Sequence, residues 1–222
     1  MNKPELLMPA GNLEKLKIAV TNGADAVYFG AQKFNMRTGA DNFSNQDIKE
    51  GITFCHFYNK KAYLTLNTSL KDSEIEDALE VAKFAFESGI DALIVQDIGL
   101  IKLLRELLPD LELHASTQMT CNNIQGAEFL ANFGFKKIVL ARELNLLEIK
   151  EISDFLHSKN VEVEVFTHGA ECFSYSGQCL FSSFVFNKSG NRGRCMQPCR
   201  LVYSKVDSND KARFLSMKDL CT

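Results

Sequence analysis

The chain has 222 residues, of which 45% are hydrophobic, so it is long enough to bury a core without disulfide or metal staples. Its net charge of −3 and isoelectric point near 5.9 exclude a protein whose whole surface binds nucleic acid through phosphate contacts, but they allow a local basic patch. The N-terminal segment lacks the apolar core of a signal peptide, and no apolar run approaches the roughly 18 residues of a transmembrane helix. We therefore expect a cytoplasmic protein without membrane insertion.

Short β-rich apolar runs alternate with longer amphipathic stretches up to residue 168. The apolar runs predict strands at 5–10, 25–31, 61–68, 91–97, 111–117, 136–142 and 162–168. Helical periodicity between them predicts helices at 13–22, 45–58, 72–88, 99–107, 124–133 and 145–158. Near-continuous apolar strands that alternate with amphipathic helices are typical of a parallel sheet covered by helices.

A recurring unit favours closure of this sheet into a barrel. The segments NGADAVYFG (22–30) and SGIDALIVQ (88–96) share a helix end, a glycine, an aspartate and a buried strand. We predict an α/β fold in which residues 1–168 form a (β/α)8 TIM-barrel-like domain; an open α/β sheet is the alternative, because periodicity alone cannot close a barrel. No G-x-G-x-x-G follows the first strand and no G-x-x-x-x-G-K-[ST] occurs, so neither dinucleotide nor P-loop nucleotide binding is indicated.

Polar side chains recur where the predicted strands end, at the face where barrel enzymes build their active sites. The positions are Asn67, Thr68, Gln96, Asp97, His114, Ser116, Thr117, Gln118, Arg142, Glu143 and His168. Arg142 and Arg37, the latter in the loop FNMRTGADNFS (34–44), are candidates to bind a carboxylate or phosphate. His114 and His168 are candidate general acids or bases. The alternatives are a surface pair between Arg142 and Glu143 and histidines that are hydrogen-bonded structural groups.

Five of the seven cysteines lie in residues 169–222, a lobe in which the strand and helix pattern stops. In a reducing cytosol, clustered cysteines are metal ligands or redox groups more often than disulfides. Their spacing is Cys172-x6-Cys179-x15-Cys195-x3-Cys199-x21-Cys221, with only one tight pair of the kind that structural zinc sites use twice. Dispersed soft ligands fit a [4Fe–4S] cluster better than zinc, the alternative metal, and buried thiols without metal are the other alternative. Cys55 and Cys121 are expected to be ordinary thiols.

Several motifs along the whole chain resemble those of the peptidase U32 family. EVFTHGAECFSYSGQCLFSS (164–183) is similar to the family signature, and NRGRCMQPCRLVY (191–203) is similar to its second conserved block. The opening ELLMPAGNLEKLKIAVTNGADAVYFG (5–30), the loop FNMRTGADNFS, and the segments LHASTQM (113–119) and VLARELNL (139–146) resemble it too. The family contains oxygen-independent hydroxylases that act on tRNA wobble uridine with prephenate, on 23S rRNA cytidine or on ubiquinone precursors, and these motifs do not separate the substrates.

The resemblance implies a [4Fe–4S] cluster on Cys172, Cys179, Cys195 and Cys221, with Cys199 as the rival for the fourth place. Cys221 lies in SMKDLC (216–221), which matches a family segment. We expect hydroxylation of RNA, with tRNA wobble uridine as the first candidate and an anionic donor such as prephenate held by the two arginines. A local basic patch among the cysteines would meet the RNA phosphates through Lys188, Arg192, Arg194 and Arg200.

Two other functions stay open. The family name carries a collagenase-like peptidase activity, but the sequence shows neither an H-E-x-x-H motif nor a nucleophile and base at a recognisable spacing. A noncatalytic, metal-stapled binding module would make the polar strand ends incidental. Because family members continue past the segment that matches SMKDLC, we also expect further C-terminal structure beyond Thr222.

Overall fold

The chain forms strands and helices in the order predicted from its sequence. The computed structural model describes residues 3–37, 39 and 41–203. The strands are β1 (Leu7–Ala10), β2 (Ala26–Gly30), β3 (Lys61–Leu66), β4 (Ala92–Val95), β5 (Leu113–Ala115), β6 (Lys137–Val139) and β7 (Glu162–Glu164). The helices are α1 (Leu13–Thr21), α2 (Asn45–Phe57), α3 (Asp72–Glu87), α4 (Ile98–Leu107), α5 (Ile124–Asn132), α6 (Leu146–Ser158) and α7 (Phe181–Phe186). All of the predicted strands and helices are confirmed, with ends that differ by a few residues; α7 was not predicted.

The seven strands form one parallel sheet in the order β1-β2-β3-β4-β5-β6-β7. Each strand pairs with the next one in the chain, as in Val27 opposite Ala62 and Leu64 opposite Leu93. Within the described residues the sheet has no eighth strand, and β1 does not pair with β7. The structure therefore shows a parallel α/β half-barrel. None of the described helices is long and apolar enough to span a membrane.

Both faces of the sheet are buried, which explains why the strands are apolar almost throughout. The outer face packs under the helices, and its fully buried residues include Phe29, Leu64 and Leu93. The inner face has a separate small cluster around Tyr63 and Ile94. Polar side chains cap five of the helices by accepting hydrogen bonds from first-turn backbone N–H groups: Asn12, Ser44, Asp97, Asn123 and Asn145.

An ion pair between distant parts of the sheet shows how strongly it curls. Glu5 lies just before β1, and Lys137 is the first residue of β6. Five inter-strand steps of about 4.8 Å each would separate these strands by about 24 Å in a flat sheet. Lys137 Nζ instead lies 2.6 Å from Glu5 Oε1. The Tyr63 hydroxyl also donates to Glu5 at 3.1 Å, and the Tyr63 ring centroid is 5.1 Å from Lys137 Nζ. The concave face is therefore closed around these side chains.

We expect the substitution Lys137→Ala to destabilise the fold strongly. The Lys137 side chain is only 5% exposed, and its loss would leave the partly buried Glu5 carboxylate without its nearest counter-charge. Removing one partner of a buried ion pair costs about 3–5 kcal/mol of unfolding free energy. Chemical denaturation of the wild type and the variant measures the difference.

The exposed neighbour Lys136 provides a matched control. Lys136→Ala should change the unfolding free energy by no more than about 0.5 kcal/mol. Equal, small losses in the two variants would contradict a stabilising role for the pair with Glu5.

Candidate functional site

A cavity of about 140 Å³ opens inside the curl at the carboxyl ends of the strands. Every strand contributes to its wall, either directly or through the residue that follows it: Ala10, Tyr28, Thr65, Ile94, Ser116, Val139 and Glu164. Carboxyl ends of parallel strands meet at one face of the sheet, which is where β/α proteins place their active sites. The cavity is therefore the first candidate for a functional site.

Asn67 is the centre of a hydrogen-bonded network in the cavity wall. Its Nδ2 lies 3.3 Å from both Ser116 Oγ and Gln118 Oε1, and its Oδ1 accepts from Met36 N at 3.2 Å. Gln96 Nε2 donates to the Asn67 carbonyl at 2.7 Å. The structure thus brings together polar strand ends that the sequence analysis placed in one ring.

The loop after β2 places Arg37 in the wall of the same cavity. Asn35 organises this loop, because its Oδ1 accepts from Arg37 N at 2.7 Å and its Nδ2 donates to Ala31 O at 2.5 Å. Asn42 Nδ2 donates to Arg37 O at 3.1 Å. Gly30 makes room for Asn35, since a Cβ at Gly30 would lie 2.6 Å from Asn35 Cγ. The backbone of Arg37 is therefore held firmly at the cavity.

Glu164 is an acidic residue of the cavity wall that the sequence analysis did not select. Its Oε2 is buried and has no hydrogen-bond partner among the described residues. Burial raises the pKa of Glu164 to about 7, while the charge of Lys137 opposes this rise and that of Glu5 adds to it. Burial also raises the pKa of Tyr28, the phenol in the same wall, and Arg37 opposes that rise. Near neutral pH the Glu164 carboxyl group can therefore take up or release a proton.

A sequence signal for Glu164 was present. In the segment Glu162-Val163-Glu164 a charged residue recurs at every second position of a strand whose neighbours are apolar. Val163 packs against the core under the helices, so the two acids point to the concave face. Acidic side chains on the concave face of a curled sheet indicate a polar interior.

His114 does not lie at the mouth, so the position expected for it is wrong. Its side chain is fully buried, its ring packs edge-on against Tyr63 at 4.7 Å, and its Nε2 lies 2.8 Å from Glu112 Oε1. Burial lowers the pKa of His114, and the Glu112 carboxylate opposes this. β5 ends at Ala115, so His114 is still inside the sheet, and Ser116, two residues later on the same face, takes the place at the cavity. The catalytic role predicted for His114 has no contact with the cavity to support it.

Arg142 and His168 lie beside the cavity rather than in its wall. The guanidinium carbon of Arg142 is 5.7 Å from the ring centroid of Phe166, which does line the cavity. The Nε of Arg142 is buried and has no hydrogen-bond partner within the described part of the chain. His168 is exposed two residues after Phe166, where the chain enters the lobe.

The lobe is attached to the loops after β5 and β3. Gln178 Nε2 donates to Thr120 Oγ1 at 2.7 Å. Gly177 lies against Gln118, a cavity residue, so closely that a Cβ would be 2.8 Å from Gln118 Cγ. Its φ of +77° also favours glycine. The lobe therefore abuts the cavity wall.

Arg192 makes the second attachment. It donates to Ser69 O at 3.1 Å and forms an ion pair with Glu74 at 2.5 Å, while Asn191 O accepts from Ser69 N at 3.3 Å. Arg192 was expected in a basic patch, and the structure uses its guanidinium for attachment of the lobe. Lys188 and Arg194 are exposed.

Four free cysteines share this lobe: Cys172, Cys179, Cys195 and Cys199. Gly190 separates two of their segments, because a Cβ on it would lie 3.3 Å from Cys179 O and 3.8 Å from Cys195 Cβ. Burial raises the pKa of Cys195, and the proximity of Cys199, Cys172 and Cys179 raises it further. The other three thiols therefore lie near enough to Cys195 to affect its ionisation, but no three metal-binding side chains among the described residues are grouped closely enough to hold an ion.

The remaining three cysteines are Cys55, Cys121 and Cys221. Cys221 lies outside the described residues. Cys55 and Cys121 are buried in the main domain, and burial raises the pKa of Cys55 to about 12 and that of Cys121 to about 11. They are ordinary buried thiols, as the sequence analysis expected.

A curled parallel sheet with a cavity at its carboxyl ends places the chain among β/α-barrel-like proteins. More specifically, the chain belongs to peptidase family U32, whose family model matches residues 11–222. The solved structure of a U32 peptidase superposes with a TM-score of 0.54 at 14% identity, over 74% of this chain and 70% of that one. That likeness supports the fold alone.

Two curated relatives have names that describe RNA modification. The chain is 44% identical over 220 residues to the 23S rRNA 5-hydroxycytidine C2501 synthase of Escherichia coli (strain K12), which covers 97% of this chain and 33% of that protein. It is 41% identical over 201 residues to the tRNA hydroxylation protein P1 of Bacillus subtilis (strain 168). The aligned region covers 90% of this chain and 47% of that protein. The chain thus spans about a third of the first relative and about half of the second.

The raised pKa of Glu164 makes a prediction about stability. The stability contributed by its protonated form is fully present below pH 4.5, the ordinary pKa, and is lost as the pH rises through about 7. Glu164→Gln removes this ionisation. Between pH 5 and pH 8 the wild type should therefore lose about 2 kcal/mol more unfolding free energy than the variant.

Urea denaturation at the two pH values measures this difference. Glu151→Gln, which removes an exposed carboxylate from α6, is the control and should follow the wild type. Parallel pH dependence in the wild type and Glu164→Gln would show that Glu164 has an ordinary pKa.

Proposed function

We propose that this protein is an oxygen-independent hydroxylase of RNA, with tRNA wobble uridine as its substrate and C5 as the position modified. The observation that carries the proposal is a polar cavity at the strand ends, abutted by a segment that carries four free cysteines. The names of both RNA-modifying relatives support the reaction class and leave the nucleoside open. A cytoplasmic location, where tRNA is found, is part of the proposal.

The overall reaction balances without dioxygen if a hydroxyl group moves from an anionic donor to the base. In R–H + X–OH → R–OH + X–H, the base carbon loses two electrons and the donor carbon gains them. We propose prephenate as the donor X–OH. Arg37, which lines the cavity, would bind a donor carboxylate through its guanidinium fork, and Arg142 would assist from beside Phe166.

The size of the cavity limits what enters it. About 140 Å³ is well below the roughly 300–1,000 Å³ of pockets that enclose drug-sized ligands. Folded RNA therefore has to present a single unstacked base, as enzymes that modify bases commonly require. Lys188 and Arg194, both exposed on the lobe, would contact the phosphates that flank this base.

The cysteine thiols of the lobe are the kind of ligand that an iron–sulfur cluster requires. Four free cysteines, which are soft ligands, lie within residues 172–199, and the residues Cys172 and Cys195 are exposed. We propose Cys172, Cys179 and Cys195 as ligands, with Cys221 as the fourth and Cys199 as its rival. When bound, a [4Fe–4S] cluster supplies one-electron transfer. Zinc is the alternative metal for the same thiols.

Closure of the half-barrel by an eighth β/α unit also belongs to the proposal. The Lys137–Glu5 pair already brings β6 within side-chain reach of the segment before β1. A single further strand between β7 and β1 would complete the (β/α)8 arrangement.

The described residues give little support for a peptidase activity, which the family name describes. Ser116 is the serine among the described residues that line the cavity. Its hydroxyl group contacts Asn67 and Gln118 and not a general base. Among the described residues that line the cavity there is no histidine or lysine to activate it. Hydroxylation is therefore the function that we carry forward.

Metal analysis and product analysis of one set of variants test the proposal. Protein purified without oxygen should contain about four irons and four acid-labile sulfides per chain, as a [4Fe–4S] cluster requires. With prephenate and unmodified tRNA it should form a nucleoside heavier by one oxygen atom, detected by mass spectrometry. Cys172→Ala should abolish both results, because the cluster loses one of its four ligands.

Cys55→Ala is the matched control, since it removes a thiol that is buried far from the lobe surface, and it should retain iron and product. Comparing Cys199→Ala with Cys221→Ala identifies the fourth ligand. Zinc without iron, or product formation by Cys172→Ala at the wild-type rate, would contradict the redox mechanism.

A further inference from the structure

We propose that Glu164 is a catalytic residue of this cavity, which accepts a proton from the base that is hydroxylated and donates one to the spent donor. This inference rests on the hydroxylase function proposed above and adds a residue to it. It is carried by the position of one carboxyl group at the end of β7, in a wall that is otherwise formed by amide, hydroxyl and apolar side chains apart from Arg37.

The position of Glu164 is suited to contact with a ligand. Its backbone carbonyl accepts a hydrogen bond from Leu140 N at 3.0 Å, so the end of β7 is fixed. Its Oε2 is buried without a hydrogen-bond partner in the described structure, although buried carboxylate oxygens are normally satisfied. An unpaired buried oxygen facing a cavity calls for a donor, and a ligand N–H, O–H or polarised C–H group would supply it.

The surrounding charges keep this carboxyl group able to change its protonation state. The titratable groups that face it are Lys137 from β6, Glu5 from the segment before β1, Tyr28 from β2 and Glu162 on its own strand. Arg37 acts from the loop after β2. Glu5 and Glu162 lie 2.6 and 3.3 Å from Lys137 Nζ, so they take up much of its charge and leave Glu164 without a dedicated counter-ion.

The proposed reaction needs two proton transfers of this kind. When C–H becomes C–OH, the base carbon loses one proton; the donor carbon, which has given up its hydroxyl group, gains one. Glu164 as carboxylate accepts the first proton and as carboxylic acid donates the second. The carboxylate is therefore restored at the end of each cycle, and no external acid or base is consumed. A general acid or base works best when its pKa lies near the working pH, and the direction of the shift at Glu164 meets that condition.

The test compares Glu164→Gln, Glu164→Asp and Glu151→Gln in protein loaded with its metal. Glu164→Gln keeps the shape of the side chain and cannot carry a proton. Loss of general acid–base catalysis should lower the rate of hydroxynucleoside formation by about 100-fold or more. Glu164→Asp retains the acid and should recover part of the rate.

Glu151→Gln is the control, because it removes an exposed carboxylate of α6, a helix that contributes no residue to the cavity wall. It should leave the rate within about twofold of the wild type, in keeping with a solvated position outside the cavity.

The pH profile separates catalysis from a structural role. The wild-type and Glu151→Gln rates should share an ionisation near neutral pH, and that ionisation should be absent from the residual rate of Glu164→Gln. Iron content and melting temperature are measured for each variant, so that a drop in rate through misfolding is recognised. The C=O stretch of a protonated carboxyl group, followed by infrared difference spectroscopy between pH 5 and pH 9, should disappear in Glu164→Gln.

Two results would contradict the proposed role of Glu164. Only the second would also contradict the proposed hydroxylase function. A Glu164→Gln protein that forms product at the wild-type rate with the wild-type pH profile would overturn the role of Glu164 and leave the hydroxylase intact. Failure of the wild-type protein to hydroxylate any RNA would overturn both proposals together.

Discussion

A buried ion pair between Lys137 and Glu5 is the interaction on which the rest of the structure depends. It connects side chains that would be about 24 Å apart in a flat sheet. Because the sheet curls around this pair, the carboxyl ends of all strands face a common cavity at the opposite end of the concave side. The curl gives the seven-stranded sheet the shape of a half-barrel.

The same pair contributes to the electrostatics of the cavity. Lys137 is shared by Glu5 and Glu162, and its charge reaches Glu164 and Tyr63 as well. Burial raises the pKa of Glu164, and Lys137 only moderates that effect. A group that stabilises the curl at the base of the sheet therefore also sets how readily the acid in the cavity changes its protonation state.

The segment after β7 contacts the main domain next to the cavity. Contacts at Gln178, Gly177 and Arg192 attach it to the loops after β5 and β3, both of which lie at the carboxyl ends of the strands. The ion pair of Arg192 with Glu74 is partly buried and therefore less screened than an exposed pair. Gly177 and Gln178, which directly precede Cys179, are thus held at the cavity wall by interactions that do not involve a thiol.

Sequence reasoning identified the elements of this fold and part of the site. Strands and helices were readable because apolar runs and helical periodicity come from the same burial that forms the sheet. Asn67, Ser116 and Gln118 were placed correctly because parallel strands end at one face. His114 was misplaced because strand ends are uncertain by one or two residues, which is enough to move a side chain from the mouth into the interior. Tyr28 and Glu164 were missed because pattern reasoning treats inner-face residues as core, although Glu164 broke the apolar pattern of its strand.

The ion pair of Arg192 with Glu74 could not be predicted from the sequence. A cluster of basic residues in sequence predicts a basic surface only when none of its members finds an acidic partner in the fold. Glu74 lies 118 positions away in the chain, so local patterning contains no sign of that contact. Contacts between a loop-rich lobe and the main domain are set by tertiary packing, and only the structure reveals them.

We propose that this chain acts in RNA hydroxylation, and the nucleoside composition of cellular RNA tests that proposal most directly. Total tRNA and rRNA from cells with and without the gene would be digested to nucleosides and compared by mass spectrometry. We predict that 5-hydroxyuridine or a nucleoside derived from it disappears from tRNA in the deletion strain and returns when the wild-type gene, but not Cys172→Ala, is restored. Unchanged hydroxylated nucleosides in both tRNA and rRNA would contradict the account.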